Sequence, residues 1–385
     1  MPFGACGFES RLRHQYSKGV PKKYPSEAKD FLGLIYKGNM GRKLKIGLLG
    51  CGGIAQIAHM PALKKAENVE LVAVCDVARE LAETAAEMYQ VPQVYDDYGE
   101  MLEKSDVEAV LIATHHAFHM ENSVEAMRSG RHVLCEKPLA ITVEECEEIL
   151  RVSRETGKQL QLGCMKRYDP GLQFAQKFVS QGMGERLSVS GWYCDTVFHS
   201  RYVRSLSLGL VGSPRQKRPY ADVQDPHLNM LLVHGVHLVD TLRFFGGEIV
   251  GVTSEVARKG EDMVSTSILE FEDGARGTMQ LICTVKMDWF EGLFVHGQGG
   301  SVVARIFFPY YRRGSDVKVF DARRGEYRTP GTPDSDPYQR QLEAFADAVL
   351  DGRKVSPDAY DGLMDQKVLT AIYESAKTGT KVRLF

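Results

Sequence analysis

The segment that most constrains the fold is an apolar run that ends in small residues. Residues 44–49 read LKIGLL, and Gly50-Cys51-Gly52-Gly53-Ile54-Ala55 follows directly. Gly50, Gly52 and Ala55 have the spacing G-x-G-x-x-A, in which the first glycine permits a tight turn and the last small residue lets a helix pack on the strand. The pattern predicts a strand, a turn and a helix that is kinked or restarted at Pro61.

The same segment predicts a dinucleotide site. Gly52 lets backbone approach a pyrophosphate, and the helix start at Gly53 and Ile54 offers free N–H groups to the phosphates. A second apolar run ends in Asp76, roughly twenty residues further on, where a carboxylate can accept hydrogen bonds from ribose hydroxyls. The carboxylate favours NAD over NADP, although Arg79 could weaken that preference. The alternative is a glycine-rich turn that binds no ligand.

Strand and helix patterns alternate through the first part of the chain. They predict an α/β fold whose N-terminal domain, residues 44–163, is a doubly wound parallel Rossmann sheet. The strands are predicted at residues 44–50, 69–76, 92–95, 107–113, 131–135 and 159–163. The helices are predicted near residues 54–65, 78–89, 97–103, 117–129 and 142–156.

The pattern changes after Gly163. Residues 164–385 predict an α+β domain with a mostly antiparallel sheet, to which the family resemblance described below assigns substrate binding and oligomer contacts. Its predicted elements are a helix after Pro170, a strand at 185–196, an irregular loop at 197–226, a helix at 228–245, alternating strands at 248–321, helices at 337–351 and 360–377, and a short final strand.

Composition narrows the class of protein. The 385 residues carry a net charge of -2, which indicates no nucleic-acid partner and no membrane surface. The 8 cysteines form no C-x-x-C pair, which is typical of reduced thiols in a cytoplasmic protein. Residues 1–43 precede the first strand without clear periodicity, and we expect a disordered tail or an artefact of gene prediction, with Met40 as a candidate start.

Candidate catalytic and cofactor residues follow the predicted strands. Lys137 comes after the fifth strand, and Pro138 stiffens the turn that holds it. An ammonium there can stabilise a developing alkoxide, although most lysines are simply solvated. Glu136 beside it, and Thr114 and His119 after the fourth strand, are predicted to line the cofactor.

Two histidines lie three residues apart in a later apolar helix. His234 and His237 share one face of that helix, and a neutral imidazole suits general-base work on a hydroxyl. They could instead be hydrogen-bonded core residues. We predict no metal site, because no third ligand is evident nearby. Asp240, three residues beyond His237, could orient that histidine and is also a candidate for substrate contact.

Three further residues are candidates for substrate contact. Arg167 and Tyr168 follow the sixth strand near the domain junction and could bind hydroxyls. Trp192, with its neighbour Tyr193, could cover a sugar face. The alternatives are packed aromatic rings and a surface arginine.

Together these residues resemble the Gfo/Idh/MocA family, named after glucose–fructose oxidoreductase and inositol dehydrogenase, over about residues 44–385. The resemblance rests on the glycine turn, Asp76, Glu136-Lys137-Pro138 and Gly235-Val236-His237-Leu238-Val239-Asp240. It implies that Lys137 is the catalytic lysine and His237 the general base, and that the protein is a homo-oligomer, a dimer or a tetramer. One position departs from the family: Val233 stands where many members carry aspartate, which predicts either a different proton relay with a role for His234 or an unusual substrate.

The predicted function is NAD-dependent oxidation of a secondary hydroxyl of a sugar, glycoside or cyclitol. One alternative is a glycosidase that oxidises, eliminates and re-reduces with bound NAD. The other is a non-catalytic regulator that binds NAD, which would have no need of Lys137 and His237.

Overall fold

The structure is a computed structural model that describes residues 41–206, 209–215, 225–331 and 334–385. The predicted tail lies almost wholly outside these residues, and so does part of the loop predicted at 197–226. Residues 43–385 form one compact unit that contains both sheets.

The first sheet has six parallel strands in the order β3-β2-β1-β4-β5-β6. This order defines the doubly wound dinucleotide-binding fold, so the predicted fold class is confirmed. Every predicted strand is present, with these bounds: β1 Leu44–Leu49, β2 Val69–Cys75, β3 Gln93–Tyr95, β4 Ala109–Ile112, β5 His132–Glu136 and β6 Leu160–Gly163.

Helices cover both faces of this sheet, as in other doubly wound folds. They are α1 Met60–Lys65, α2 Arg79–Tyr89, α3 Tyr98–Lys104, α4 His119–Arg128 and α5 Val143–Thr156. The turn before α1 is π-helical over Ala55–His59, and Pro61 follows at the start of α1. Because proline has no N–H, it cannot donate the hydrogen bond that would continue a regular helix back across this point.

The second sheet has nine strands in the order β14-β13-β12-β11-β7-β10-β9-β8-β15. Only β7 and β10 pair in parallel, so the prediction of a mostly antiparallel sheet is confirmed. Its strands are β7 Arg186–Thr196, β8 Ile249–Lys259, β9 Asp262–Phe271, β10 Arg276–Val285, β11 Phe290–Gly297, β12 Gly300–Ile306, β13 Asp316–Asp321, β14 Glu326–Arg328 and β15 Val382–Arg383.

Helices pack on the inner face of this sheet. They are α6 Pro170–Gln181, α7 His199–Ser205, α8 Pro226–Met230, α9 Val236–Gly246 and α11 Ala359–Thr378, while α10 Pro337–Leu350 packs elsewhere. The prediction of an irregular segment from residue 197 was wrong over α7, which forms there. The helix predicted at 228–245 is three pieces, because a π-helical turn at Leu231–Gly235 separates α8 from α9.

Helix α10 returns to the first sheet. Leu342, Phe345 and Ala346 of this helix belong to the same buried cluster as Leu44 and Leu48 of β1. Full burial of a side chain such as Phe345 contributes roughly 1.5–3 kcal/mol. Helix α10 therefore connects the C-terminal part of the chain with the first sheet.

Candidate active site

A cavity of about 330 Å³ lies where the carboxyl edge of the first sheet faces the inner side of the second sheet. Its wall includes six histidines, two lysines and several aromatic side chains. The lining residues are Ile54, Thr114, His115, His116, His119, Glu136, Lys137, Met165, Lys166, Tyr193, His199, Val233, His234, His237, Trp289, Phe308, Pro309, Tyr310 and Tyr338.

The glycine turn beside this cavity fits a dinucleotide. Gly50 has φ +93°, and a Cβ there would lie 2.8 Å from the carbonyl oxygen of Ala113, so only glycine fits. A Cβ on Gly53 would meet no atom within 4 Å, which leaves open space over the start of the helix. Backbone N–H groups at such a helix start can bind a pyrophosphate.

Asp76 lies at the end of β2, next to the glycine turn. Its carboxylate is buried and accepts hydrogen bonds from the N–H groups of Cys51 at 2.8 Å and Ala78 at 2.9 Å. These bonds fix a negative charge where the sequence predicts the ribose. Arg79 donates to Glu83 at 2.9 Å and to Asp96 at 3.4 Å, so two carboxylates partly neutralise it.

Glu136 and Lys137 face the cavity from the end of β5. Glu136 Oε1 lies 2.8 Å from Nε2 of the buried His59, a residue that the sequence analysis missed. Burial alone would raise the pKa of Glu136, but His59 and Lys137 together hold it below its ordinary value. Burial lowers the pKa of Lys137, and its Nζ donates to the carbonyl of Val233 at 3.1 Å.

Two of the other predicted cofactor residues, Ile54 and Thr114, line the cavity directly. The third, His119, lines the cavity and also connects two loops through contacts with Pro138 and Thr114. Its Nδ1 lies 2.7 Å from the carbonyl oxygen of Pro138, and its Nε2 lies 3.2 Å from that of Thr114. The ring therefore connects the end of β4 with the turn that carries Lys137.

His234 and His237 enter the cavity from the π-helical turn and the start of α9. Burial lowers the pKa of His234 to about 4, and burial with the nearby lysines places the pKa of His237 well below its ordinary value. Both rings are therefore neutral near pH 7 and can accept a proton. The His237 ring stacks on Tyr193, with ring centroids 6.1 Å apart.

Lys166 is a second cavity lysine that the sequence analysis missed. Its Nζ lies 2.5 Å from Oε1 of the fully buried Glu291 and 4.8 Å from the centre of the Tyr193 ring. Trp289, Phe308 and Tyr310 continue this wall as a set of edge-to-face rings. Lys166 follows β6 directly, so its position at a strand end could have identified it.

Arg167, Tyr168 and Asp240 do not line the cavity. Arg167 forms a buried ion pair with Asp240 at 2.7 Å and also contacts Asp361, while the hydroxyl of Tyr168 donates to the carbonyl of Ser356. These contacts connect the segment after β6 with α9 and α11. The pair of Arg167 and Asp240 thus holds the helix of His237 against the segment after β6.

A buried cluster beneath the site has the geometry of a possible metal centre. One ligand atom each of Cys164, Asp240 and Asp365 lie within 4.8 Å of one another. Asp240 is paired with Arg167, and Asp365 with Arg243 at 2.8 Å, so arginines already occupy both carboxylates. We therefore describe it as an ion-pair network.

Trp192 lies on the outer face of the second sheet. Its ring contacts Phe290 and Phe294 and covers Gly292, where a Cβ would lie 2.4 Å from the indole. Because side chains alternate along a strand, Tyr193 is the residue of this pair that lines the cavity.

The chain belongs to the Gfo/Idh/MocA family. Residues 44–164 match the model described as an oxidoreductase family with an NAD-binding Rossmann fold, and residues 223–384 match the C-terminal alpha/beta domain of that family. This confirms the resemblance seen in the sequence. The protein is an NAD(P)-dependent oxidoreductase of CH–OH groups.

Relatives and solved structures agree with this assignment. The chain is 26% identical over 371 residues to D-glucoside 3-dehydrogenase of Escherichia coli K12, which covers 89% of this chain and 97% of the relative. It is 25% identical to D-xylose 1-dehydrogenase (NADP(+)) 2 of Haloferax volcanii, with 89% and 100% covered. The structure of aldose-aldose oxidoreductase from Caulobacter crescentus is similar at a TM-score of 0.74 and 25% identity, with 89% and 100% covered.

Within residues 41–206, 209–215, 225–331 and 334–385, no helix combines the length and the apolar character that crossing a bilayer requires.

Proposed function

We propose that this protein oxidises a secondary hydroxyl of a sugar, glycoside or cyclitol with NAD. The observation that carries the proposal is the meeting of Lys137 from the first domain and His237 from the second in one cavity. The cavity opens at the edge of the parallel sheet where doubly wound folds bind dinucleotides. The named activities of the glucoside and xylose dehydrogenase relatives support a carbohydrate substrate.

The cofactor would lie along the glycine turn. Gly50, Gly52 and the helix start at Gly53 would hold its pyrophosphate, and Asp76 its adenosine ribose. Ile54, Ala55, Thr114, His119 and Glu136 complete the predicted cofactor side. When bound, the nicotinamide would accept a hydride from the carbinol carbon.

The proton of the hydroxyl would pass to a neutral histidine. His237 suits this role because burial and nearby charges keep its imidazole unprotonated, and His234 lies three residues away on the same cavity wall. The Lys137 ammonium would donate a hydrogen bond to the substrate oxygen and stabilise negative charge that develops on it.

The aromatic wall would bind the sugar ring. Tyr193, Trp289, Phe308 and Tyr310 present ring surfaces to the cavity, and such surfaces suit the apolar C–H face of a carbohydrate. We propose these residues for substrate contact in place of Trp192, Arg167, Tyr168 and Asp240, since those four point elsewhere.

We further propose a homo-oligomer that pairs through the outer face of the second sheet. Ile268, Phe290, Phe294 and Val303 stand exposed on that face around Trp192. Such a patch suits a second copy of the chain. Sedimentation velocity would measure the expected dimer or tetramer, and a monomer at micromolar concentration would contradict the proposal.

A reducing, cytoplasmic environment is also proposed. The seven cysteines in the described part of the chain form no disulfide, and six of them are buried. Thiol titration after purification without reductant would show free cysteines if this proposal holds.

A substrate panel tests the proposed function. Purified protein would be incubated with NAD and a series of glycosides, aldoses and inositols, with NADH formation followed by absorbance. We expect NADH with at least one glycoside or cyclitol. Aglycone release without net NADH would instead indicate the glycosidase, and tight NAD binding without turnover of any member would indicate a regulator.

A further inference from the structure

A buried carboxylate touches two of the cavity histidines from behind. Asp195 lies near the end of β7, on the inner face with Tyr193, and only 3% of its surface is exposed. Both of its carboxylate oxygens lie 3.0 Å from Nδ1 of His199, and Oδ2 lies 3.5 Å from Nδ1 of His234. The N–H of Thr196 also donates to Oδ1 at 2.7 Å, which fixes the carboxylate in place.

This contact decides which ring nitrogen carries the proton. A carboxylate accepts but cannot donate, so a neutral imidazole that faces it donates Nδ1–H and leaves Nε2 unprotonated. His199 and His234 both line the cavity, and Nε2 lies on the side of each ring away from Asp195. Asp195 thus presents two proton acceptors to the cavity.

The helical turn before His237 supplies no carboxylate that could orient the cavity histidines. Val233 occupies the position four residues before His237, and its side chain is apolar. Its carbonyl oxygen is already bound by the Lys137 ammonium at 3.1 Å. The carboxylate near His234 is instead Asp195 of the second sheet, and only the tertiary fold brings the two residues together.

We propose that Asp195 is a positioning residue that holds His199 and His234 as Nδ1–H tautomers for the proton relay of the reaction. Only the expected kinetic effect depends on the proposed function, and the expected tautomers do not. A bound nicotinamide would accept the C–H electron pair as hydride, and the O–H electron pair would then form the carbonyl bond. The hydroxyl proton would pass to His237, the base proposed above, and the buried negative charge of Asp195 would stabilise the imidazolium formed when His234 or His199 carries the proton onward.

Other groups that face these rings come from several elements. The hydroxyl oxygen of Tyr193 lies 3.3 Å from Nδ1 of His234, where it can donate to or accept from that nitrogen. In the proposed tautomer it accepts from Nδ1–H beside Asp195. The charged or titratable neighbours of His234 and Asp195 are Lys137, Lys166, His199, His237, Cys283, Glu291 and Tyr310.

The experiment compares wild type with Asp195→Asn in enzyme labelled with ¹⁵N-histidine. The N–H of Thr196 keeps the asparagine carbonyl at the Oδ1 position, so the amide NH₂ takes the Oδ2 position and donates to Nδ1 of His199, which favours the proton on Nε2. We expect NMR to show Nδ1–H tautomers for His199 and His234 in wild type and Nε2–H for His199 in the variant. Single His199→Gln and His234→Gln variants assign the signals.

The kinetic part uses any substrate that the panel identifies. We expect kcat to fall roughly 100-fold in Asp195→Asn, with KM and NADH affinity changed less than about threefold. The matched control is Asp321→Asn, because Asp321 is as deeply buried at the end of β13 but contacts arginines. This control should change neither the tautomers nor kcat.

Three results would overturn the proposal. They are Nε2–H tautomers of both histidines in wild type, an unchanged kcat in Asp195→Asn, and an effect on KM alone, which would make Asp195 a direct substrate ligand. If Asp195→Asn does not fold, the tautomers of His199 and His234 in wild type test the proposal by themselves. If wild type oxidises nothing while the tautomers are as expected, the proposed function fails and the positioning of the histidines stands.

Discussion

The two halves of the cavity are built in different ways. On the cofactor side, Gly50, Asp76, Thr114 and Lys137 each follow a strand of the parallel sheet by a residue or two. The substrate side comes from loops, a mixed sheet and three helices. Its lining residues are Met165, Lys166, Tyr193, His199, Val233, His234, His237, Trp289, Phe308, Pro309, Tyr310 and Tyr338.

The difference follows from sheet geometry. Parallel strands joined by helices bring all their carboxyl ends to one edge of the sheet. A residue that directly follows a strand therefore lies at that edge. A mostly antiparallel sheet alternates its strand directions, and no such rule orders its ends. Asp195, on a strand of the second sheet, is therefore recognised as a site residue through its contact with His199. Lys166 follows β6 of the parallel sheet, so the strand-end rule could have identified it.

Removing the Lys137 ammonium should have the largest effect, because this residue links the two halves. We expect Lys137→Ala to lower kcat/KM by roughly 10³-fold, since a donor to the developing alkoxide is lost. Initial rates of NADH formation measure the change. Lys177→Ala, at an exposed position on α6, should behave as wild type. Activity in Lys137→Ala above a third of the wild-type rate would remove the lysine from the mechanism.

A change on the cofactor side should alter cofactor choice without altering the substrate wall. We expect Asp76→Asn to raise kcat/KM with NADP relative to NAD roughly tenfold, because the charge facing a 2′-phosphate is removed while an acceptor oxygen remains. Turnover with each cofactor measures this. Asp106→Asn, an exposed carboxylate paired with Lys45, is the control. A wild-type preference for NADP would refute the role given to Asp76.

The pH dependence probes the substrate side and should give the smallest effect. Burial disfavours the imidazolium forms of His234 and His237, so these bases stay neutral below the ordinary histidine pKa of 6.5. We therefore expect the acid limb of kcat/KM to lie below pH 6.5 and towards about 4. His296→Gln, on the outer face of the sheet, should leave the limb unchanged. An acid limb at or above pH 6.5 would show that neither buried histidine is the base.

Much of the first domain could be predicted because its signals are local. The six parallel strands, the turn at Gly50 and the break before Pro61 all follow from residues a few positions apart. The second domain was predicted less completely. Helix α7 forms within a segment that was predicted to be irregular. Its first residue, His199, contacts Asp195 four residues earlier, and this spacing could have indicated the pair.

The sequence by itself determined the doubly wound fold, the dinucleotide turn, and Lys137 and His237 as the candidate reacting groups, because strand periodicity and short motifs encode them. Only the tertiary structure decided which side chains share the cavity. It turned Trp192 outward and Tyr193 inward, enclosed Arg167 and Asp240 in an ion pair, and brought Asp195 behind His234. Contacts between distant residues depend on how sheets and helices pack, and no local pattern in the chain specifies them.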